Sequence, residues 1–595
     1  MTTPSKTIKD RLTRLRVELA SQGLGGFVVP LTDEHQSEYV SSYAQRLNWI
    51  SAFDGSAGSA IVLQNKAAIF VDGRYTIQVR NQVDSALFEI VQIEDTTPTD
   101  WLRANMKDGD RIGFDPFLHT IDWVKTASAA VALNRGELVP VEQNPIDTVW
   151  TDQDGEPNTP VSPHADDLAG ESSKEKRHRL GKAIADQGAE AAVITQLDSI
   201  AWLFNIRSGD VSHTPVSLAF ATLESDGQAT LYIDPSKVTG ELKDHLGNEV
   251  AVEAKSAFIS NLTSLRGKSV LADPATASFA VFEALEGAGA IPIKAMDPCA
   301  LPKAAKNDVE IAGSRAAHIR DGAAVTRFLR WLSIEGPKGG VTELSAAAKL
   351  WDFRAEDASL KDSSFDTISA AGPHGAMCHY RVTEESNLPI ENNSVFLIDS
   401  GGQYPDGTTD ITRTVEIGTA PQEAKERFTL VLKGHIALAT AVFPEGTTGP
   451  ALDSFARRPL WEAGLDYDHG TGHGVGSFLA VHEGPGRISK APNTVKLQPG
   501  MIFSNEPGYY KDGEYGIRIE NLVVVEPRDT AGDRNMMGFD ELTFAPIDRN
   551  MIVADMLDAK ERNWLNAYHA RVRELLSPLL TGDDLTWMIA QTAEI

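Results

Sequence analysis

The sequence predicts a multidomain α/β protein: two related α/β domains in tandem, then a third, mixed α+β region that carries the chemistry. Three observations predict it. The chain has 595 residues, about four times the ~150-residue prior for one domain. A weak internal repeat lies at a fixed offset, with LRVELASQGLGGFVVPLTD beginning at Leu15 and LGKAIADQGAEAAVITQLD at Leu180. From Leu301 onward the pattern changes to a helical segment, then short apolar runs of β type, then helix again.

In the repeat, Gln22-Gly23 matches Gln187-Gly188, Val28 matches Val193 and Asp33 matches Asp198. Each copy reads as an amphipathic helix, a glycine turn and an apolar strand, the opening of an α/β unit. Between the copies, residues 141–175 are rich in Pro, Asp, Gly and Ser, which predicts an exposed connection. The expected domains are residues 1–150, a linker over 151–172, a middle domain over 173–303, and a last domain over 304–595. That last domain opens with PKAAKNDVEIAGSRAAHIRDGAAVTRFLRWL, where Val309, Ile311, Ala316 and Ile319 recur at helical spacing. SVFLIDS, MIFSNEP and IRIENLVVVE then read as strands, and the last ~45 residues as helix.

Composition narrows the function classes. The 83 acidic and 55 basic residues give a formal charge of −28. That argues against nucleic acid and anionic membrane as partners, since both reward clustered Lys and Arg. Two cysteines, Cys299 and Cys378, make neither a disulfide framework nor a cysteine-rich zinc site. The start, MTTPSKTIKD, lacks the apolar core of a signal peptide. No apolar run approaches the ~18 residues of a membrane span. A cytoplasmic enzyme is expected.

The candidate chemistry lies in one stretch of about 120 residues. VFLID ends in Asp399, and DITRTVEI returns from a Pro405-Asp406-Gly407 turn, so a hairpin brings Asp399 and Asp410 together. Alone, a hairpin with two incidental acids is the plainer reading. HGTGHGVG supplies His469 and His473, and VHEGPG supplies His482. Gly486 stands where an H-E-x-x-H zincin needs its second histidine, which excludes that class. SNEPGYY places Glu506 at the end of another apolar run. In GIRIEN, period-two alternation puts Arg518 and Glu520 on one face, opposite Ile517 and Ile519. Together these acids change the weights. Four carboxylates in one pocket repel, and some are forced to protonate. Two divalent cations remove that repulsion. Oxygen-rich donors with a single imidazole favour Mn²⁺ or Co²⁺ over a thiolate-type zinc site, and paired metals suit hydrolysis.

DSGGQYPDGTTDITRT, HGTGHGVGSFLAVHEGP, NEPGYY and GIRIEN resemble the signature set of the aminopeptidase P family, within the pita-bread metallopeptidases. DEHQSEYVSSYAQRLNWISAFDGSAGSA and FVDGRY resemble its N-terminal domain, and RNMIVADMLDAKERNWLNAYHARVRELL its long-form tail. The resemblance implies two creatinase-N-like α/β domains before a pita-bread α+β catalytic domain. It also implies a dinuclear metal hydrolase that removes an N-terminal residue preceding proline through a metal-bridging hydroxide. The implied metal ligands are Asp399, Asp410, His473, Glu506 and Glu520, with Glu506 also the base. The implied ions are two Mn²⁺, with Co²⁺ and Zn²⁺ the alternatives. His379, His469 and His482 are expected to line the proline pocket, with His379 and His482 assisting catalysis. Tyr510, Arg518 and Trp461 fall on family positions near the site. A homodimer acting on peptides with proline second is the expected working form.

Other features receive plainer readings. His374 in GPHGA reads as a solvent-exposed turn, His35 in DEHQSEY as packing, and Cys378 as a small packing residue. The competing functions are a prolidase restricted to dipeptides, a binding module that has lost catalysis, and a creatinase-like hydrolase. Tandem α/β domains argue against the first, and the intact ligand set against the other two.

Overall fold

The structure is a computed structural model that describes residues 5–595. The chain divides into two compact units, one formed by 5–166 with 171–300, the other by 167–170 with 301–595.

The first unit holds both halves of the repeat. Helix Ser5–Ser21 leads into strand Gly26–Pro30, and helix Ser173–Asp186 into strand Ala191–Ile194. Each helix ends at a glycine in the left-handed region, Gly23 at φ +68° and Gly188 at φ +78°, where a Cβ would be strained. Leu12, Leu15 and Leu19 of the first helix and Leu180 and Ile184 of the second are buried on their sheets. Each half forms a six-stranded sheet, and the two sheets match in strand order and in every strand direction.

The connection between the halves is less exposed than its composition suggests. Residues 145–149 form a helix, and Ser162–Pro163 pair with Ile206–Arg207. Ile146 and Val161 are buried apolar anchors. Thr159 N–H donates to Asp210 Oδ1 at 3.2 Å. The other oxygen of Asp210 accepts from Ser217, Leu218 and Lys237. A polar stretch is thereby pinned at a few points, which composition does not report. His35 is buried as expected, its Nδ1 3.0 Å from the Thr195 carbonyl and its ring 4.4 Å from Phe220.

The second unit opens with helix Asp308–Glu335, started by a capping box between Asn307 and Glu310. Its buried face is not the apolar series of the sequence. Val309 is 40% exposed, whereas Ser314, Ala317, His318 and Asp321 are buried. Close approach is the reason. A Cβ on Gly313 would lie 2.4 Å from the Asp406 carbonyl, and one on Gly407 2.9 Å from the Ser314 Cα. The helix therefore rests almost backbone to backbone on the 402–408 hairpin, which only small residues allow.

Two sheets follow. Strands Ile368–Ala371, Ser394–Ser400 and Ile411–Ile417 form an antiparallel trio in which Asp399 lies opposite Thr412. A six-stranded sheet contains Gly472–Gly474, Ile502–Asn505 and Asn521–Arg528. A separate hairpin pairs Gly508–Lys511 with Tyr515–Arg518. GIRIEN is not one strand: residues 519–520 separate Tyr515–Arg518 from Asn521–Arg528. There the backbone turns to another partner, with Glu520 N–H donating to the Thr412 carbonyl. The expected facing survives the break, because Ile517 and Ile519 enter the apolar core while Arg518 and Glu520 meet acids.

At the start of strand Glu483–Ile488, the edge of the six-stranded sheet, Glu483 is buried between two buried lysines, Lys303 at 2.9 Å and Lys306. Removing the carboxylate would take away the anion that both buried ammonium groups share. We expect Glu483→Ala to cost about 3–5 kcal/mol of unfolding free energy. Denaturant unfolding monitored by tryptophan fluorescence checks this, and a change below about 0.5 kcal/mol would show the ion pairs to be unimportant.

Candidate metal centre

Four acids at ends and breaks of strands and one histidine within a short strand are brought near one another. Asp399 is the penultimate residue of Ser394–Ser400, and Asp410 immediately precedes Ile411–Ile417. His473 is central in Gly472–Gly474, Glu506 follows Ile502–Asn505, and Glu520 occupies the break after Arg518. One donor atom each from Asp410, His473 and Glu520 lies within 4.8 Å of the others. His473 Nε2 is 3.4 Å from Asp410 Oδ2 and 3.6 Å from Glu506 Oε1.

Glycine makes this convergence possible. A Cβ on Gly472 would lie 2.0 Å from the Ser504 carbonyl, and one on Gly474 2.3 Å from the Glu483 carbonyl. The strand bearing His473 is thus squeezed between neighbours, and the imidazole alone projects from it. Its Nδ1 donates to the Gly474 carbonyl at 2.9 Å, which leaves the Nε2 lone pair for a cation, as a metal-ligating histidine requires.

The acids are held by a compact set of donors. Arg518 Nη2 donates to Asp399 Oδ2 at 2.6 Å, and Arg518 Nε donates to Thr412 Oγ1 at 3.1 Å. Thr412 Oγ1 in turn donates to Glu520 Oε2 at 2.7 Å. Ser504 Oγ donates to Glu506 Oε1 at 3.2 Å and accepts from His473 N–H at 2.9 Å. Behind them, Arg413 Nη1 donates to the Glu520 carbonyl at 2.7 Å, and Arg413 Nη2 donates to Tyr568 Oη at 2.9 Å. Tyr568 lies on helix Ala559–Leu576, so the tail of the chain reaches the backbone of a candidate ligand. Sequence reasoning missed all four of these residues. Thr412 and Ser504 each stand two positions from an acid, so strand alternation was a usable signal. Arg413 and Tyr568 carried none.

The protein's own charges do not balance here. Burial, then the charges of Asp410, Asp399 and Glu506, hold the Glu520 carboxyl well above the carboxylate range. Burial pushes Glu506 up to about 7 against the opposing pull of His473 and Arg518. Asp399 is raised by burial despite Arg518. Burial disfavours the His473 cation, but the Asp410 hydrogen bond and the Glu506 and Asp410 charges outweigh it and lift the imidazole to about 9. Asp399 Oδ1 is also buried with no hydrogen-bond donor on it. An orphaned carboxylate oxygen, displaced pKa values and an imidazole aimed inward all fit a site built for cations.

The remaining expected residues divide. His469 Nδ1 donates to the Gly470 carbonyl, and its Nε2 accepts from Tyr510 Oη at 2.7 Å. Arg518 Nη1 donates to that same phenol oxygen at 2.7 Å. His482 lies edge-on against His473 with ring centres 4.3 Å apart. His379 is half-buried beside Cys378, and Cys378 is close enough to Tyr510 to act on its charge. Trp461, the penultimate residue of helix Pro450–Glu462, is 46% exposed and hydrogen-bonds Asp466. His374 is not in an exposed turn. Its Nδ1 lies 2.9 Å from the fully buried carboxylate of Glu343, which draws the loop inward.

Comparison with known proteins decides the family. Residues 312–527 match metallopeptidase family M24, and 535–595 match the C-terminal region of that family. Residues 11–149 and 152–310 each match the creatinase/prolidase N-terminal domain. Aminopeptidase P2 of Arabidopsis thaliana is 41% identical over 97% of this chain and 87% of its own length. The chain belongs to metallopeptidase family M24.

The family resemblance read from the motifs therefore stands, as does the architecture of two creatinase-type domains before a pita-bread domain. A probable Xaa-Pro aminopeptidase P of Aspergillus oryzae is 40% identical over 98% of this chain and 92% of its own. The fold is similar to X-prolyl aminopeptidase from Caenorhabditis elegans, a cytosolic enzyme with a di-nuclear active site. That match has a TM-score of 0.94 and 34% identity, and covers 99% of this chain and all of the other. A prolidase from Pyrococcus horikoshii covers 63% of this chain and 99% of its own, at a TM-score of 0.50 and 26% identity. M24 members of prolidase length thus leave over a third of this chain unmatched. Among the described residues, no helix is long and apolar enough to cross a membrane.

A pH dependence follows from the site's electrostatics. Glu506 near 7 and His473 near 9 hold protons that a metal must displace. Affinity for Mn²⁺ should therefore rise with pH through the range from about 6 to about 9 and then level off. Titration calorimetry at pH 7 in buffers of different ionisation enthalpy should register net proton release. Buffer-independent heats would contradict the assignment of these groups as ligands.

Proposed function

We propose that this chain is an Xaa-Pro aminopeptidase whose two divalent ions are held by Asp399, Asp410, His473, Glu506 and Glu520. The observation that carries the reading is the convergence of donor atoms from Asp410, His473 and Glu520 within 4.8 Å, beside the buried Asp399 and the partly buried Glu506. The ions, which we take to be Mn²⁺, would neutralise the four carboxylates, lower the pKa of a water and stabilise a developing oxyanion.

The chain's own residues supply the rest. Glu506, close to both His473 and His469, takes the proton of the attacking water and returns one to the prolyl nitrogen, which must be protonated to leave. Thr412 and Arg518 fix Glu520 and Asp399, so those oxygens do not rotate during turnover. The chain from Arg518 through Tyr510 fixes the His469 tautomer, because the phenol accepts from the guanidinium and donates to Nε2. An Xaa-Pro bond has no N–H to read, so selectivity falls to a ring-shaped pocket, for which His379, His469 and His482 are the candidate walls. Arg518 and Tyr510 support that pocket, and Trp461 flanks its approach. His379 and His482 orient the scissile carbonyl. On the family resemblance we read the working form as a cytoplasmic homodimer of these 1–150, 173–303 and 304–595 domains.

Hydrolysis of Arg-Pro-Pro and Arg-Ala-Ala by chelator-treated protein, with and without Mn²⁺, tests the reading. Mn²⁺-dependent release of arginine from Arg-Pro-Pro alone is expected. Cleavage confined to Xaa-Pro dipeptides would replace it with prolidase activity. Asp410→Ala and Glu520→Ala should each lose bound metal and activity together. His469→Ala should retain metal while kcat falls by about 10²-fold or more. Full activity in Asp410→Ala would overturn the ligand assignment.

A further inference from the structure

Glu343 stands outside the metal centre, at the first position of helix Glu343–Arg354, and is fully buried. Its carboxylate receives an unusual concentration of donors, all from one segment. Ala371 N–H donates to Oε1 at 2.8 Å and Leu388 N–H to Oε2 at 2.9 Å. His374 Nδ1 donates to Oε1 at 2.9 Å, and Tyr380 Oη to Oε2 at 3.0 Å. The backbone of Glu343 adds two more, accepting from Ser369 Oγ at 2.7 Å and donating to the Leu388 carbonyl at 3.0 Å. One carboxylate thus closes both ends and the middle of residues 371–388. Beyond Ala371, the last residue of strand Ile368–Ala371, and a short 3-10 turn at Gly372–Ala376, that segment has no regular structure of its own.

The same segment is clamped on its other side. A Cβ on Gly516 would sit 1.7 Å from the Gly375 carbonyl, so the loop lies backbone to backbone on strand Tyr515–Arg518. That strand and its hairpin partner carry Arg518 and Tyr510. His379 rides between the two clamps, one residue before Tyr380, whose hydroxyl is on Glu343. Cys378, one residue earlier, is close enough to Tyr510 to act on its charge.

We propose that Glu343 is the positioning residue for His379: its carboxylate folds residues 371–388 against the Tyr510–Arg518 hairpin, and so sets where that imidazole meets the substrate. The proposal rests on the reading of His379 as a wall of the proline pocket. Glu343 touches neither metal nor substrate and acts only through the loop. Such indirect action matters because displacing a substrate-orienting group by about 1 Å costs on the order of 10²-fold in rate.

A double-mutant cycle tests it on the full-length, Mn²⁺-loaded protein with Arg-Pro-Pro. Glu343→Gln keeps the shape but loses acceptors, and should lower kcat/KM by about 10- to 100-fold while Mn²⁺ content stays unchanged. In a His379→Ala background the same substitution should cost no more than about a further twofold, because the group it positions is gone. Losses that multiply in the double variant would overturn the proposal, as would loss of Mn²⁺ from Glu343→Gln. Should Glu343→Gln not fold, Tyr380→Phe carries the cycle, since it removes one donor and keeps the packing. Inactive wild-type protein would sink the aminopeptidase reading and leave this proposal to a readout without turnover. The Cε1–H NMR resonance of His379, assigned by its loss in His379→Ala, should shift in Glu343→Gln or Tyr380→Phe. An unmoved resonance in the variant that folds would refute the positioning role.

Discussion

Four buried carboxylates facing one another are the constraint on which the catalytic unit depends. Asp399, Asp410 and Glu520 are buried and Glu506 nearly so, and bringing such charges together in low dielectric is unfavourable without compensation. Arg518 compensates part of it, with a guanidinium shared among Asp399, Thr412 and Tyr510. Even with the His473 imidazole also drawn towards its cationic form, the acids stay in excess, and burial with their mutual repulsion raises Glu520 and Glu506 above the usual carboxylate range.

Holding groups that repel one another requires a rigid frame, and the frame explains otherwise odd choices in the fold. Each acid sits at a strand end or strand break, where the backbone is fixed on one side and the side chain is free on the other. The break at residues 519–520 is the clearest case. Glu520 leaves its hairpin, its N–H donates to the Thr412 carbonyl, and its own carbonyl accepts from Arg413. Arg413 is then fixed by Asn521, Ala545 and Tyr568. A change in helix Ala559–Leu576 can therefore reach the candidate ligand Glu520 without touching it.

Much of this was legible in the sequence, for reasons that can be named. The helix–glycine–strand repeat was visible because the left-handed residue and the apolar strand are local properties of Gly23, Gly188 and their neighbours. The acids were visible because an acid ending an apolar run is conspicuous. What stayed hidden was long-range. The buried face of helix Asp308–Glu335 is set by how closely it approaches residues 406–407, and helical periodicity carries no distance. Glu343 drew no reading from the sequence. Its partners lie 26 to 45 residues downstream, and no local pattern joins them. His374 was misread for the same reason: a Gly-Pro-His-Gly turn reads as exposed unless the buried carboxylate beneath it is known.

The division of labour between His469 and His473 shows how little local sequence decides. Both stand before a glycine, and each donates Nδ1–H to the carbonyl of that glycine, at 2.7 and 2.9 Å. In its neutral form each imidazole is thereby set in one tautomer, with Nε2 as the acceptor. Up to this point the two are equivalent. They differ in what Nε2 meets. For His473 it meets Asp410 and Glu506, an acidic surrounding that draws a cation. For His469 it meets the Tyr510 hydroxyl, itself anchored by Arg518, which already fills the acceptor and places a positive charge close behind it. A metal ion at His469 would have to displace a charge-supported hydrogen bond, while at His473 it replaces only a proton. One His-Gly device, used twice within six residues, thus suits the proposed ligand role in one surrounding and the proposed role of pocket wall in the other, and the deciding residues are Asp410, Tyr510 and Arg518 rather than either histidine.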